Sequence, residues 1–213
     1  MNILIIGASS KNSIGYIVGE KLKIHHEHSV VYTSRNGKLG LKCDVTHPRN
    51  VRRILLKTKP GVVVLAAGVF TAPKILGSIR SWSRITEHIL AKSLGPLVLA
   101  NAFTSLKTKR VRYFIALGGR AVSSESGFAA YTVGNGALWS LTNFLNRHSL
   151  GKAFYIDLPF VKDSRMEKQY YRATKSRAQG ISIETNEVVK VVERILRGEE
   201  KRARIILGGK GSA

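Results

Sequence analysis

The sequence is poor in acid, almost free of cysteine and without a long apolar run. Among 213 residues there is one cysteine, Cys43, so no internal disulfide can form. A reducing interior such as the cytoplasm is the expected setting. No apolar stretch approaches the roughly 20 residues a membrane span requires, so no membrane association is expected. With an apolar run beginning at residue 2, no signal or transit peptide is expected either. Only 13 acidic residues stand against 35 basic ones, a net charge of +22. Such an excess attracts nucleic acid, phosphorylated ligands, anionic membranes or acidic proteins. A generally basic proteome gives the same number, so charge alone assigns no function. His25, His26 and His28 crowd one short stretch, but without cysteine partners or a second histidine pair they predict no metal site.

What is present is an alternation. Apolar, β-rich runs occur at 2–6, 29–33, 41–45, 61–68, 111–117, 152–156 and 203–207. Between them lie segments with helical spacing: Ile14, Ile17, Val18 and Leu22 share one face, and Val51, Ile54 and Leu55 another. A long helix is predicted over about 81–106, another around Tyr131, and one over 185–196 with Thr185 as its N-cap. Strands apolar on both faces, alternating with helices, predict a single Rossmann-like α/β domain over 1–213, a doubly wound parallel sheet with helices on both faces. The rhythm breaks at 160–182, which reads as an irregular substrate lid beyond a strand's carboxyl end, where such folds bind ligands.

The stretch IIGASSKNSIG joins a strand to a helix through a glycine turn. Gly7 permits a sharp exit, Gly15 lets the helix pack closely, and Ser9, Ser10 and Ser13 place hydroxyls beside a helix N-terminus, an arrangement that suits a diphosphate. At the end of the second strand stand Ser34 and Arg35, where an acidic residue would hold a ribose 2′-hydroxyl. A guanidinium there suits a 2′-phosphate, with Lys11 adding charge, so NADP(H) is expected over NAD(H). Asp44 closes the third strand, where a carboxylate can accept from an adenine amino group.

With these residues in place the sequence resembles the short-chain dehydrogenase/reductase family along nearly its whole length. The glycine turn with Ser13 and Ile14 is similar to that of the enoyl-reductase branch. Asp44 and Val45 match the family's adenine pocket, and Ala67 and Gly68 its strand end beside the cofactor. Pro159 and Ser164 match the segment that contacts the nicotinamide amide. The resemblance implies a tetrad of asparagine, serine, tyrosine and lysine, with the tyrosine moving a proton while hydride passes to or from nicotinamide. Tyr131 is present, but Asn135 occupies the lysine position and Lys92 the asparagine position. The serine position falls near Gly118 and Gly119. The two exchanged residues imply that Lys92 lowers the Tyr131 pKa from the opposite wall, with Asn135 bonding ribose or water; the alternative is a decayed site with Lys92 solvated. Arg120, Ser123, Ser124 and Ser126 are candidates for the missing hydroxyl's work.

Two function classes follow. The first is an NADP(H)-dependent reductase of a carbonyl or enoyl group, with an anionic small-molecule substrate such as a thioester or phosphorylated carbonyl suited to the lid's Lys162, Arg165, Lys168, Arg172, Lys175 and Arg177. The second is a catalytically silent nucleotide binder whose basic surface takes nucleic acid or a protein partner. The resemblance also implies a homodimer or homotetramer.

Overall fold

The apolar run at the start becomes an interior strand of the sheet. Strand β1 (Asn2–Ile6) pairs in parallel with β2 (Ser29–Ser34) on one side, Ile3 opposite Val30, and with β4 (Val62–Leu65) on the other, Ile5 opposite Val64. The computed structural model describes residues 1–26, 28–68, 79–106, 111–119, 129–148, 151–174 and 182–208. Within them, β3 (Leu41–Lys42), β5 (Tyr113–Gly119), β6 (Lys152–Leu158) and β9 (Arg204–Ile206) complete a seven-stranded parallel sheet of order β3-β2-β1-β4-β5-β6-β9. The expected doubly wound, Rossmann-like fold is the one observed.

Residues alternate between the two faces because successive side chains of a strand point opposite ways. Ile3, Ile5, Val62, Val64 and Ile115 pack against α1 (Ile14–His26) and α7 (Thr185–Leu196). Leu4, Ile6, Val63, Leu65 and Phe114 pack against α2 (Pro48–Thr58), α4 (Leu94–Ser105) and α5 (Ala129–Arg147). Strand order reverses between β1 and β4, and the crevice beyond their carboxyl ends is where a ligand enters this architecture.

Four sequence expectations change. The long helix at 81–106 is two helices, α3 (Ile79–Lys92) and α4, broken at Ser93. Pro96 has no N–H to give the Lys92 carbonyl, so the ladder cannot continue through that point. The third strand ends at Lys42 because Asp44 turns the chain, accepting from the Thr46 amide at 3.0 Å. The cap of α7 is Glu184, one residue before Thr185, and its amide donates to the Glu187 carboxylate at 3.2 Å. The lid is not irregular: it contains β7 (Phe160–Val161), α6 (Arg165–Thr174) and β8 (Ser182–Ile183), the two strands forming a separate parallel pair. Ser164 starts α6 by accepting from the Glu167 amide at 3.2 Å. None of the described helices is long and apolar enough to cross a membrane.

Candidate functional site

The crevice holds a cavity of about 740 Å³, within the range of small-molecule and cofactor sites. One end is the glycine turn. Gly7 has φ +111°, and a Cβ there would lie 2.5 Å from the Ala67 nitrogen, so only glycine lets the chain leave β1 this close to the end of β4. The Gly7 and Ala8 amides both donate to the Thr33 carbonyl, at 3.0 and 2.9 Å. Ser9, Ser13 and Ile14 line the cavity, and the Ser13 hydroxyl donates to the Ser10 carbonyl at 2.6 Å. The Ser10 hydroxyl is buried with no partner. Ser10, Lys11 and Gly15 do not line the cavity, and Lys11 is exposed.

At the far side of β1, Ser34, Arg35, Asp44 and Val45 line the same cavity. Ser34 is committed to its own turn, its hydroxyl donating to Asn36 Oδ1 at 2.8 Å. The Arg35 guanidinium meets the Glu87 carboxylate on α3 at 3.3 Å, both side chains half exposed. Burial pushes the Asp44 pKa up, but hydrogen bonds from the Thr46 hydroxyl and amide outweigh it and hold the carboxyl below its ordinary value. Cys43 also lines the wall, but burial pushes its thiol up to about 11 and leaves it unreactive.

The other end gathers around the last three residues of β5. Lys92, from the end of α3, donates through Nζ to the Leu117 carbonyl at 2.7 Å. Asn135, from α5, donates through Nδ2 to the Gly119 carbonyl at 2.6 Å. Between them stands Gly118, and a Cβ there would fall deep inside contact distance of the Tyr155 phenol, which arrives from β6. Gly134 lets α5 approach α3, a Cβ there lying 3.0 Å from Lys92 Cβ and 3.2 Å from the buried His88 ring. Lys92 is 6% exposed and has no carboxylate within ion-pair distance among the described residues; burial pushes its pKa down to about 8. Asn135 Oδ1 is buried and without a partner, an acceptor left over for a ligand group or water. Burial first, then the nearby Asp157 charge, raises the Tyr155 pKa, so its phenol stays a neutral hydroxyl.

Lys92 and Asn135 are therefore brought together at one strand end, with Ala67, Gly68, Pro159 and Ser164 on the same cavity wall. The backbone of Tyr131 lies one turn before Asn135 in α5, and its side chain lies outside the described residues. So do Arg120, Ser123, Ser124 and Ser126. Two residues on the cavity wall, Glu87 and Arg165, and one packed behind Gly118, Tyr155, are not distinguished by the sequence in these roles. Glu87 was one carboxylate on a helix, Tyr155 one aromatic in an alternating strand, and Arg165 one cation among six in the lid. Only spatial neighbours distinguish them.

Comparison with known proteins agrees with the topology. No family model matches the chain, and no curated protein matches its sequence. Solved structures do. A short-chain dehydrogenase from Burkholderia cenocepacia J2315 in complex with NADP is similar at TM-score 0.75 and 15% identity, over 97% of this chain and 88% of that one. The closed form of a serine dehydrogenase complexed with NADP+ gives 0.76 and 13%, over 100% and 96%. A 4-hydroxyisoleucine dehydrogenase complexed with NADH gives 0.72 and 14%, over the full length of both. At these identities the likeness establishes the fold alone, a Rossmann-like α/β domain.

Proposed function

We propose that this protein is an NADP(H)-dependent oxidoreductase that reduces a carbonyl or enoyl group on a small, anionic substrate. The observation that carries the reading is the meeting of Lys92 and Asn135 on the carbonyls either side of Gly118, in the same cavity as the glycine turn. The residues fit a dinucleotide: the turn, where Gly7 leaves a cradle that a Cβ would fill and Ser9 and Ser13 line the wall, would hold the diphosphate, Asp44 the adenine, Arg35 the 2′-phosphate, and Asn135 with Ser164 the nicotinamide end. When bound, the cofactor supplies the hydride.

The chain's own part is the proton. Tyr131 gives it to the substrate oxygen, and the Lys92 ammonium favours the phenolate left behind. Because Lys92 loses its charge near pH 8, reduction is expected to fall with a one-proton limb above about that pH. NADPH oxidation against a panel of aldehydes, ketones and enoyl thioesters tests the reading. Tyr131→Phe is expected to lower kcat by about 10²–10⁴-fold with little change in NADPH affinity; wild-type turnover in that variant would sink it.

Cofactor choice has a counterweight in Glu87. A carboxylate bonded to Arg35 opposes a 2′-phosphate at the same guanidinium. Glu87→Gln is expected to tighten NADPH binding by roughly 2–5-fold, about the size of an exposed pair interaction, and to leave NADH unchanged. Calorimetric titration with both cofactors measures it.

The silent-binder reading rests on α2. Arg49, Arg52, Arg53 and Lys57 surround the exposed Leu56 on a shallow surface, with no acid in the helix. A phosphodiester backbone suits such a face, and affinity for single-stranded RNA that falls steeply with salt, without any turnover, would favour it. In either reading the exposed Leu94, Leu97, Val133 and Phe144 on α4 and α5 support a homodimer or homotetramer.

A further inference from the structure

The lid is stitched to the glycine turn at two points. The Arg165 amide, first in α6, donates to the Asn12 carbonyl at 2.9 Å, and Arg165 Nη1 donates to the Ser9 hydroxyl at 3.0 Å. The side-chain contact joins residues 156 apart in sequence. Arg165 lines the cavity beside Ser9, Met166 and Gln169. Nearby acids are engaged elsewhere: Glu167 accepts from the Asp163 amide at 2.7 Å, and Asp163 lies 3.8 Å from Lys168. Among the described residues Arg165 has no carboxylate within ion-pair distance, so it is a cation on the cavity wall without a counter-charge.

A guanidinium has five N–H donors in a planar fork, and Ser9 takes one of them. The Ser9 oxygen is used as an acceptor, and its own proton remains to be donated. Arginine and serine are thus already oriented toward an anion seated in the turn, and neither has to give up the other to bind it. Because Arg165 is the first residue of α6, whatever its guanidinium holds also fixes the lid.

We propose that Arg165 is the diphosphate clamp of this site: it binds the ligand's diphosphate together with Ser9 and thereby locks α6 over the cavity. The proposal rests on the dinucleotide reading and adds a residue and a coupling to it. Arg35 would act on the adenosine 2′-phosphate, which only NADP(H) carries, whereas Arg165 acts on the diphosphate common to NADP(H), NAD(H) and ADP-ribose. The two arginines therefore have different ligand signatures.

The test measures binding of NADPH, NADH and ADP-ribose by calorimetry to wild type, Arg165→Met, Arg165→Lys and Arg35→Met, with near-UV circular dichroism confirming that each variant is folded. Arg165→Met is expected to weaken all three ligands by a similar factor, about 10–100-fold for loss of a charge-assisted fork. Arg165→Lys, a point charge without the fork, is expected to recover part of it. Arg35→Met is expected to weaken NADPH alone. ADP-ribose should protect wild type, but not Arg165→Met, from tryptic cleavage after Lys168 and Arg172. If Arg165→Met binds ADP-ribose within twofold of wild type, or is equally protected from trypsin, the clamp is wrong and the dinucleotide reading stands. If wild type binds none of the three ligands, both fall.

Discussion

Replacing Lys92 with methionine is expected to raise the melting temperature of the protein and, under the proposed oxidoreductase reading, to remove its turnover. Lys92 is buried without a counter-ion among the described residues, and burial holds its pKa at about 8, against 10.5 for an ordinary lysine. Between those values the folded protein binds fewer protons than the unfolded chain, so stability rises with pH across that window. Below pH 8 the whole penalty is present, about 3 kcal/mol at 1.36 kcal/mol per unit. Methionine keeps the stem's packing and removes the charge, at the cost of the hydrogen bond to Leu117, about 1–2 kcal/mol. The net gain of about 1–2 kcal/mol corresponds to a rise of roughly 2–8 °C for a chain of this length. Scanning calorimetry at pH 7 should find it, and the gap between variant and wild type should narrow as the pH is raised from 8 to 10. A lower melting temperature at pH 7 would contradict the account of Lys92 as a charge held in place against stability. Proteins retain such residues where function requires them, and kcat should fall with the charge by about 10²–10⁴-fold.

Gly118→Ser is expected to damage the fold instead of restoring a hydroxyl. The resemblance places a serine near this position, and a sequence-guided repair would start there. In this chain the volume is taken: a Cβ would collide with the hydroxyl and ring carbons of Tyr155, which is 3% exposed and held against Trp139 at a ring separation of 5.8 Å. A buried aromatic ring so confined cannot swing aside, so overpacking should cost about 2–4 kcal/mol, at or beyond the usual range. Tyr155→Ala opens the space and alone costs about 3–5 kcal/mol. Combined with Gly118→Ser it should lose less than the sum, with a coupling of about 1–3 kcal/mol in a double-mutant cycle followed by urea unfolding. Strict additivity would mean that Tyr155 does not fill the serine's place.

The frame of the molecule was readable because its signals are local. Apolar runs of strand length, helical stripes and Gly7 each report on a few neighbouring residues, and those suffice to predict a doubly wound parallel sheet with a glycine turn after its first strand. The errors were also local in cause. The break at Ser93 follows from Pro96, which the apolar periodicity of 81–106 masked, and α6 was missed because its residues are mostly polar and give no buried stripe. The site was half readable: Lys92 and Asn135 stood out as exchanged residues, but nothing in the string of letters says where a flexible amine ends.

By itself the amino-acid order determined the parallel sheet, the glycine turn after the first strand and the strongly basic character, since these depend on spacing and composition. Only the tertiary structure decided that Lys92 and Asn135 grip the carbonyls on either side of Gly118, that Tyr155 occupies the space a serine would need, that Glu87 meets Arg35, and that Arg165 reaches Ser9. Each of those contacts joins residues far apart in the chain, and whether an ionisable group is buried, paired or aimed at a cavity depends on neighbours that folding alone supplies.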